Sequence, residues 1–456
     1  MSGSTRGWLM GCPAKGSSGG ATVSVGRRPG LIAAIRSRVL GYVARRAFGG
    51  GPGGGGLSSA RLAMLPDSAL MPLKRNGLDP VDDLRLRREQ APVSRIKLPL
   101  GVTAWLVTGY EESKAVLGGT AAFSNDFRHL AGVAGFDEAE DPGGLGFADP
   151  PEHTRLRRVL TPEFTGRRLA RLVPQVEQIV EEQLDAMAAA EDPVDLVAAF
   201  AMTVPSLSIC ALLGVPYEDR ADFQRHSTAR FDMLDPAAAS LSAITDSLTY
   251  LLGIVKAQRA EPGEGLLGRL VTDHGDEFTD QELAGLADGL LTGGLETTAS
   301  MLALGTVLLL QHPEAMAAIR EDDTAVAPFV EELLRYLTVV QVAFPRFARE
   351  DVEIGGQQIS KGDAVLCSLS GANRDACLGA DMERFVLGRA PTRHVAFGYG
   401  IHRCVGAELA KIELRAAFPA LVRRFPNMRL AVDPEKIAYR RRSIVFGIER
   451  LPVHLR

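Results

Sequence analysis

Acidic residues are missing from the first 66 positions of this chain, which carry nine Lys or Arg and neither Asp nor Glu. The formal net charge of the whole is −4, so taking away those nine positive charges leaves the rest at about −13. A basic leader is joined to an acidic body. Aromatic residues are also few, at 6%, and the body's arginines are mixed with acids rather than clustered with aromatics, which excludes an obvious nucleic-acid face. The cysteines, at 12, 210, 367, 377 and 404, are odd in number and at no framework spacing, so a disulfide scaffold is excluded and a reducing cytoplasm fits best. No uninterrupted apolar stretch approaches the ~20 residues that span a bilayer, and a soluble protein is expected. What is present is an ordinary globular balance, 46% hydrophobic and 23% charged over 456 residues.

Residues 1–70 are rich in Gly, Ser and Arg and include "FGGGPGGGGLSS", which holds no single backbone conformation. Inside this leader Ile32, Ile35, Val39 and Val43 share a helical face that Arg46 interrupts. A membrane-surface anchor or transit-like segment fits a basic, acid-free stretch, but the reading preferred is a disordered or vestigial extension, with Met64 or Met71 as an alternative start. Residues 71–456 are then expected to form one domain.

In that domain "PVSRIKLPLGVTAWLVTGY" reads as two strands around a Pro-Gly turn, and "VEIGGQQISKGDAVLCSL" is a second strand-like region. Helical patterns dominate elsewhere, with "LVPQVEQIVEEQLDAMAAA" clearly amphipathic, so the expected class is mainly α with small β-sheets. The longest helix is expected to start at a Thr279–Glu282 capping box and to run to His312, before Pro313. It is apolar on nearly every side and should be buried. Its middle, "TGGLETTAS", contradicts that setting, because Gly293 and Gly294 each cost about 1 kcal/mol relative to alanine and Glu296 brings a charge indoors.

A second anomaly is "FGYGIHRCVGAELA". Its glycines permit tight turns and close approach to a flat ligand, and Cys404 directly precedes a helical pattern whose first amides favour negative charge. A Gly-x-Gly-x-x-Gly nucleotide loop fails at Arg403, and His402 with Cys404 lacks a second pair for zinc. Taken alone, a ligand and an inert buried cysteine both remain open.

This loop resembles the haem-ligand loop of the cytochrome P-450 superfamily, Phe-Gly-x-Gly-x-His-x-Cys-x-Gly, matched by Phe397, Gly398, Gly400, His402, Cys404 and Gly406. The resemblance implies haem b (iron protoporphyrin IX) with Cys404 as the axial thiolate. "GGLETT" is similar to the family's oxygen-binding pattern, which implies that Gly293 and Gly294 let the helix open beside dioxygen, that Thr297 holds the hydroperoxide and a water, and that Glu296 relays protons. The competing bland reading has Thr297 bonding back to the Gly293 carbonyl and Glu296 turned to solvent. "VEELLRYL" matches Glu-x-x-Arg through Glu332 and Arg335, a structural pair for which Arg384 is the expected third member. In "DPPEHTRLRR" His153 and Arg157 lie four apart on one face, and the resemblance assigns them to the haem carboxylates with Arg346 and His402. "SLSGANRD" resembles the family's stretch before the meander, and the matches together span about residues 72–456.

The family resemblance implies a monooxygenase that inserts one oxygen atom from O2 into a hydrophobic small molecule. No flavin or iron–sulfur segment accompanies it, so electrons from NAD(P)H would arrive through a separate ferredoxin and ferredoxin reductase. Arg155, Arg158, Arg403 and Lys411 are the expected docking cations. By the same resemblance the substrate pocket takes Leu290, Leu291, Gly294, Val340, Val342, Ile444 and Val445, with Gln341 as its one polar group and the segments Leu130–Phe147 and Phe223–Leu234 as its roof. A fatty acid, terpenoid, steroid or polyketide suits that lining. A monomer is expected. The alternative function is a haem-thiolate sensor that binds ligand without turnover.

Overall fold

A computed structural model describes residues 70–97, 103–126, 145–216, 219, 237–440 and 443–456. Residues 1–69 of the leader, the Pro-Gly turn at 98–101 and the roof segments 130–144 and 223–234 lie outside the described residues. The longer helices are α1 (Asp82–Gln90), α2 (Tyr110–Gly118), α3 (Glu152–Leu160), α4 (Val173–Ala189), α5 (Thr203–Leu213) and α6 (Ala237–Ala260). They continue with α7 (Leu266–His274), α8 (Asp280–Gln311), α9 (Pro313–Glu321), α10 (Val326–Leu337) and α11 (Ala407–Arg424). Strands are short: β1 (Arg75–Asn76), β2 (Asp79–Pro80), β3 (Val93–Lys97), β4 (Thr103–Val107), β5 (Phe123–Ser124) and β6 (Val194–Asp195). After α10 follow β7 (Arg346–Ala348), β8 (Val352–Ile354), β9 (Gln357–Ile359), β10 (Ala364–Cys367), β11 (Arg429–Leu430) and β12 (Pro452–His454).

The expected strands form. β3 and β4 pair antiparallel with Val93 opposite Val107, and β10 adds in parallel to the other side of β4, giving the order β3-β4-β10-β7-β5. Because β4 is interior to the sheet and packed on both faces, Ala104 to Val107 are all buried, and its apolar residues run without alternation. β11, β12 and β6 make a smaller antiparallel sheet, and β8–β9 and β1–β2 are hairpins.

Helix α8 runs from its capping box as read from the sequence: Glu282 N donates to Thr279 Oγ1 at 3.2 Å and Thr279 N to Glu282 Oε2 at 2.8 Å. Pro313 cannot continue it, and His312 closes the end. Helices α5, α6, α9, α10 and α11 surround it, which is why its apolar residues occupy every side. Among the described residues it is the one helix long and apolar enough to cross a membrane, and 72% of its apolar window is buried inside the protein, as in a core helix. The amphipathic α4 turns Val176, Val180, Leu184 and Met187 into the same core.

Glu332 and Arg335 on α10 are buried, 4% and 1% exposed, with Arg335 Nε donating to Glu332 Oε2 at 2.7 Å. The remaining donors of Arg335 reach the carbonyls of Asn373, Met382 and Arg384. The third charged member is Arg389, whose Nε donates to Glu332 Oε1 at 2.9 Å, and this corrects the expectation of Arg384. The chain between them turns so that Arg384 offers Arg335 its carbonyl while its own side chain stays at the surface.

Candidate active site

The loop before α11 is shaped by backbone geometry. Gly398 and Gly400 take φ of +70° and +75°, and a Cβ on Gly400 would lie 2.7 Å from the Leu117 carbonyl, so only glycine brings the loop against the end of α2. Cys404 follows three residues before α11, its amide donating to Phe397 O at 2.8 Å. The residue is open to solvent on one side, yet protein crowds its sulfur on the others. Burial pushes its thiol above the ordinary range, while the Gly406 amide, Arg157 and Arg403 pull against that. A deprotonated sulfur here calls for a cation seated directly on it, which is what a coordinated metal supplies.

Beside the loop, basic and polar groups gather with little negative charge to answer them. His153 is 2% exposed and its Nε2 has no hydrogen-bond partner. Its ring centroid lies 4.2 Å from that of His402. Burial, then His153 and Arg346, hold His402 down to about 3; burial and Arg157 lower His153. Arg157 on α3 is lowered by burial, with Cys404 acting in the opposite direction, so this arginine lies within electrostatic reach of the sulfur and of both imidazoles. Arg346 is 5% exposed and donates from Nη1 to Phe344 O at 2.8 Å and to Asn125 Oδ1. The nearby carboxylate, Asp149, is committed to Ser124, the Asn125 amide and Arg349. All four residues that the resemblance assigned to haem carboxylates therefore share one neighbourhood that is short of anions. Two carboxylates at a haem edge fit it, and the unpartnered His153 nitrogen is the atom that asks for them.

On α8 the two glycines have different tasks. A Cβ on Gly293 would meet nothing within 4 Å, so this position opens onto free space in the middle of a buried helix. A Cβ on Gly294 would fall 2.7 Å from Ile209 Cδ1, so Gly294 is a packing glycine against α5 and not part of the pocket roof. Thr297 Oγ1 donates to Gly293 O at 2.7 Å, the back-bond anticipated from the sequence. Glu296 does not turn to solvent. Its Oε1 accepts from Arg440 Nη1 at 2.5 Å, with the side chains 19% and 12% exposed.

The residues expected at the pocket divide in the same way. Leu290 is partly buried, whereas Leu291, at 1% exposed, points into the core. Val340 and Val445 form a β-bridge, Val342 bridges to Ser368, and Ile444 is 36% exposed. Gln341 is fully buried: its Oε1 accepts from Arg75, and its Nε2 donates to the Leu73 and Ser443 carbonyls, so it pins loops together and offers no polar handle to a ligand. Phe344, the last residue of the apolar run "TVVQVAF" that the resemblance also places at the pocket, is 50% exposed and edge-on to Phe147 at 4.6 Å. Arg440 was missed, because a run of arginines ordinarily reads as solvated charge. Of the expected docking cations, Arg155 pairs with Glu152 and Glu282, Arg158 with Glu277, and Lys411 with Glu331. Arg403 is exposed and has no ion pair among the described residues.

The family model described as Cytochrome P450 matches residues 81–261 and 266–451. The chain is a cytochrome P450. It is 40% identical over 395 residues to cytochrome P450 165B3 of Amycolatopsis orientalis, covering 84% of this chain and 97% of that one. Vitamin D3 dihydroxylase of Streptomyces griseolus is 40% identical over 374 residues, covering 81% and 92%. Among solved structures, OxyC, a cytochrome P450 implicated in an oxidative C–C coupling reaction during vancomycin biosynthesis, superimposes with a TM-score of 0.78 at 38% identity, over 85% of this chain and 97% of that one. Like its relatives, this P450 is a haem-thiolate monooxygenase that uses O2, a redox partner and a small-molecule substrate.

Proposed function

We propose that Cys404 is the sulfur on the haem iron of this P450, that His153, Arg157, Arg346 and His402 hold the haem carboxylates, and that residues 71–456 form its haem domain. The observation that carries the reading is the buried, unpartnered His153 Nε2 beside His402, with Arg157 linking that pair electrostatically to Cys404. Haem in this site supplies the activation of dioxygen for insertion of one oxygen atom into a C–H or C=C bond, with the thiolate pushing electron density toward iron.

The chain's own residues do the rest. Phe397 and Gly398 fix the loop, and the Gly406 amide hydrogen-bonds the sulfur. Gly293 leaves room on the opposing helix. Glu296 takes up a proton at its carboxylate and yields it toward the Thr297 hydroxyl, which exchanges its bond to the Gly293 carbonyl for one to the reacting centre. Val340, Ile444, Val445 and Leu290, joined by Phe344, present an apolar lining. We read the substrate as a hydrophobic molecule of moderate size, a reading supported by the vitamin D3 named for one relative. Electrons come from NAD(P)H through a ferredoxin and its reductase, and Arg403, exposed beside Cys404, is the docking cation left to meet an acidic partner. The protein is read as a cytoplasmic monomer.

The test is spectroscopic first. Reduced protein under carbon monoxide should show the absorption band of sulfur-bound haem, and Cys404→Ala should lose it. A variant that keeps the parent's spectrum would overturn the assignment. A spectral-shift screen of apolar compounds, followed by product analysis with a surrogate ferredoxin and reductase, then names the substrate. Absence of oxygen consumption with every binding compound would count against catalysis.

A further inference from the structure

The acid on α8 is held by a residue from the far end of the chain. Arg440 belongs to an irregular hairpin: its amide donates to Gly447 O at 2.8 Å, Glu449 N donates to Ala438 O at 2.8 Å, and Tyr439 bridges Ile448. The hairpin lies flat on α8 because residue 447 is glycine, where a Cβ would sit 2.5 Å from the hydroxyl of Ser300, one turn beyond Glu296. That contact places the Arg440 guanidinium on the Glu296 carboxylate. The returning arm of the same hairpin carries Ile444 and Val445. It is tied to the segment that follows α10 through Gln341 N to Ile444 O at 2.9 Å, Phe446 N to Val339 O at 2.7 Å and the Val340–Val445 bridge. One short unit therefore touches the proton-carrying acid with one arm and the apolar lining with the other, across two backbone rungs.

We propose that Arg440 is the positioning residue for Glu296, and that the hairpin lets whatever rests on Ile444 and Val445 alter the grip of Arg440 on that carboxylate. Glu296 then exchanges its ion pair for a proton when the pocket is filled, and delivers that proton toward Thr297. Two influences act on the Glu296 carboxyl: burial, which favours the neutral acid, and Arg440, which favours the anion. Arg440 is the charged group that opposes burial there, so loosening it moves the balance in one direction only. The inference rests on Glu296 as the proton carrier of the proposed reaction, but its tests need no turnover, so the two readings fail separately.

The first test compares thermal unfolding of the haem-loaded parent, Arg440→Gln, Arg440→Lys, Glu296→Gln and the Arg440→Gln/Glu296→Gln double variant across pH 5–8. Without Arg440 the folded-state pKa of Glu296 rises further above its unfolded value, so the stability it removes grows as pH increases. Arg440→Gln should fall behind the parent by a margin that widens to about 1–3 °C at the alkaline end. Arg440→Lys should recover most of it, and in the Glu296→Gln background the margin should not change with pH. A margin that is equal at every pH, or that persists with its pH dependence after Glu296→Gln, would overturn the assignment. The second test follows a pH-indicator dye at pH 7 in dilute buffer while the apolar azole clotrimazole fills the pocket, with occupancy read from the haem spectrum. The parent should take up protons and both Glu296→Gln and Arg440→Gln should lose that uptake. Equal uptake in all three proteins, or none in the parent, would remove the link between pocket and acid.

Discussion

Arg389 donates from Nε to Glu332 Oε1 at 2.9 Å, reaching from the irregular segment beyond β10 to the middle of α10. The same oxygen accepts from Arg335 Nη2 and from the Val386 amide, so the carboxylate is saturated in a place that water barely enters. Such a cluster adds little stability compared with an apolar core of the same shape, but removing one member leaves charge buried and unanswered.

Arg389→Ala should therefore destabilise the protein by about 1.5–3 kcal/mol, the range for a hydrogen bond to a buried charge. Arg384→Ala should stay within about 0.5 kcal/mol of the parent, because the contribution of Arg384 is a main-chain carbonyl that alanine retains. Urea unfolding of the two variants checks this. Equal losses would mean that the Arg384 side chain has a role its surface position does not suggest.

Much of this architecture was legible because it follows from local rules. The capping box at Thr279, the helix stop at Pro313 and the antiparallel β3–β4 pair depend on residues close in sequence, and each formed as read. The pairing of Glu332 with Arg335 was legible for the same reason, being one helical step. What was not legible depends on contacts between distant segments. Arg384 and Arg389 lie five residues apart in a stretch without periodicity, where nothing local tells which side chain turns inward. Gly293 and Gly294 are adjacent and chemically identical, and only the position of Ile209 on α5 separates the open glycine from the packed one. Gln341 looked like a ligand handle because its polarity stood alone in an apolar run, yet its partners, Arg75, Leu73 and Ser443, come from both ends of the chain.

His153 offers a direct test of the haem-carboxylate cluster. A hydrogen bond from its Nε2 to a carboxylate is worth about 1.5–3 kcal/mol, or roughly ten- to hundredfold in retention. His153→Leu should therefore lose haem to apomyoglobin faster than the parent by a factor in that range, and His153→Gln, which keeps a donor, should lose it at an intermediate rate. Transfer rates that do not distinguish the three proteins would place the haem carboxylates elsewhere.

A second buried acid predicts a pH effect of definite sign. Glu413 on α11 is 2% exposed, is hydrogen-bonded by Ser208 and Thr298, and has Oε1 without a partner. Burial pushes its carboxyl up to about 8. The folded state thus holds this proton more tightly than the unfolded chain, so its contribution is most favourable at low pH and is lost as pH rises from the ordinary carboxyl range of about 4.3 through about 8. Glu413→Gln should melt close to the parent at pH 5 and above it at pH 9, by a free energy on the order of a few kcal/mol. A difference between the two proteins that is flat with pH would show that Glu413 is ionised in the fold.

Thr297 is the residue on which the proton-delivery reading can be separated from a packing role. Its hydroxyl donates to Gly293 O at 2.7 Å, and a threonine bonded to its own helix is also what a purely structural residue would show. The two roles differ in what alanine would do. If the back-bond matters only to the helix, Thr297→Ala should change the melting temperature slightly and leave product formed per electron untouched, since helix backbone bonds survive without the side chain. If the hydroxyl moves a proton during turnover, Thr297→Ala should keep the haem spectrum and oxygen consumption while product per NAD(P)H falls several-fold and hydrogen peroxide rises by the same amount. Thr297→Ser, which retains the hydroxyl but not the methyl group, distinguishes them further, because it should restore coupling. The apolar lining predicts that binding of the substrate will be nearly equal in all three proteins, so product yield and peroxide, measured together against NAD(P)H consumed, decide the role of Thr297.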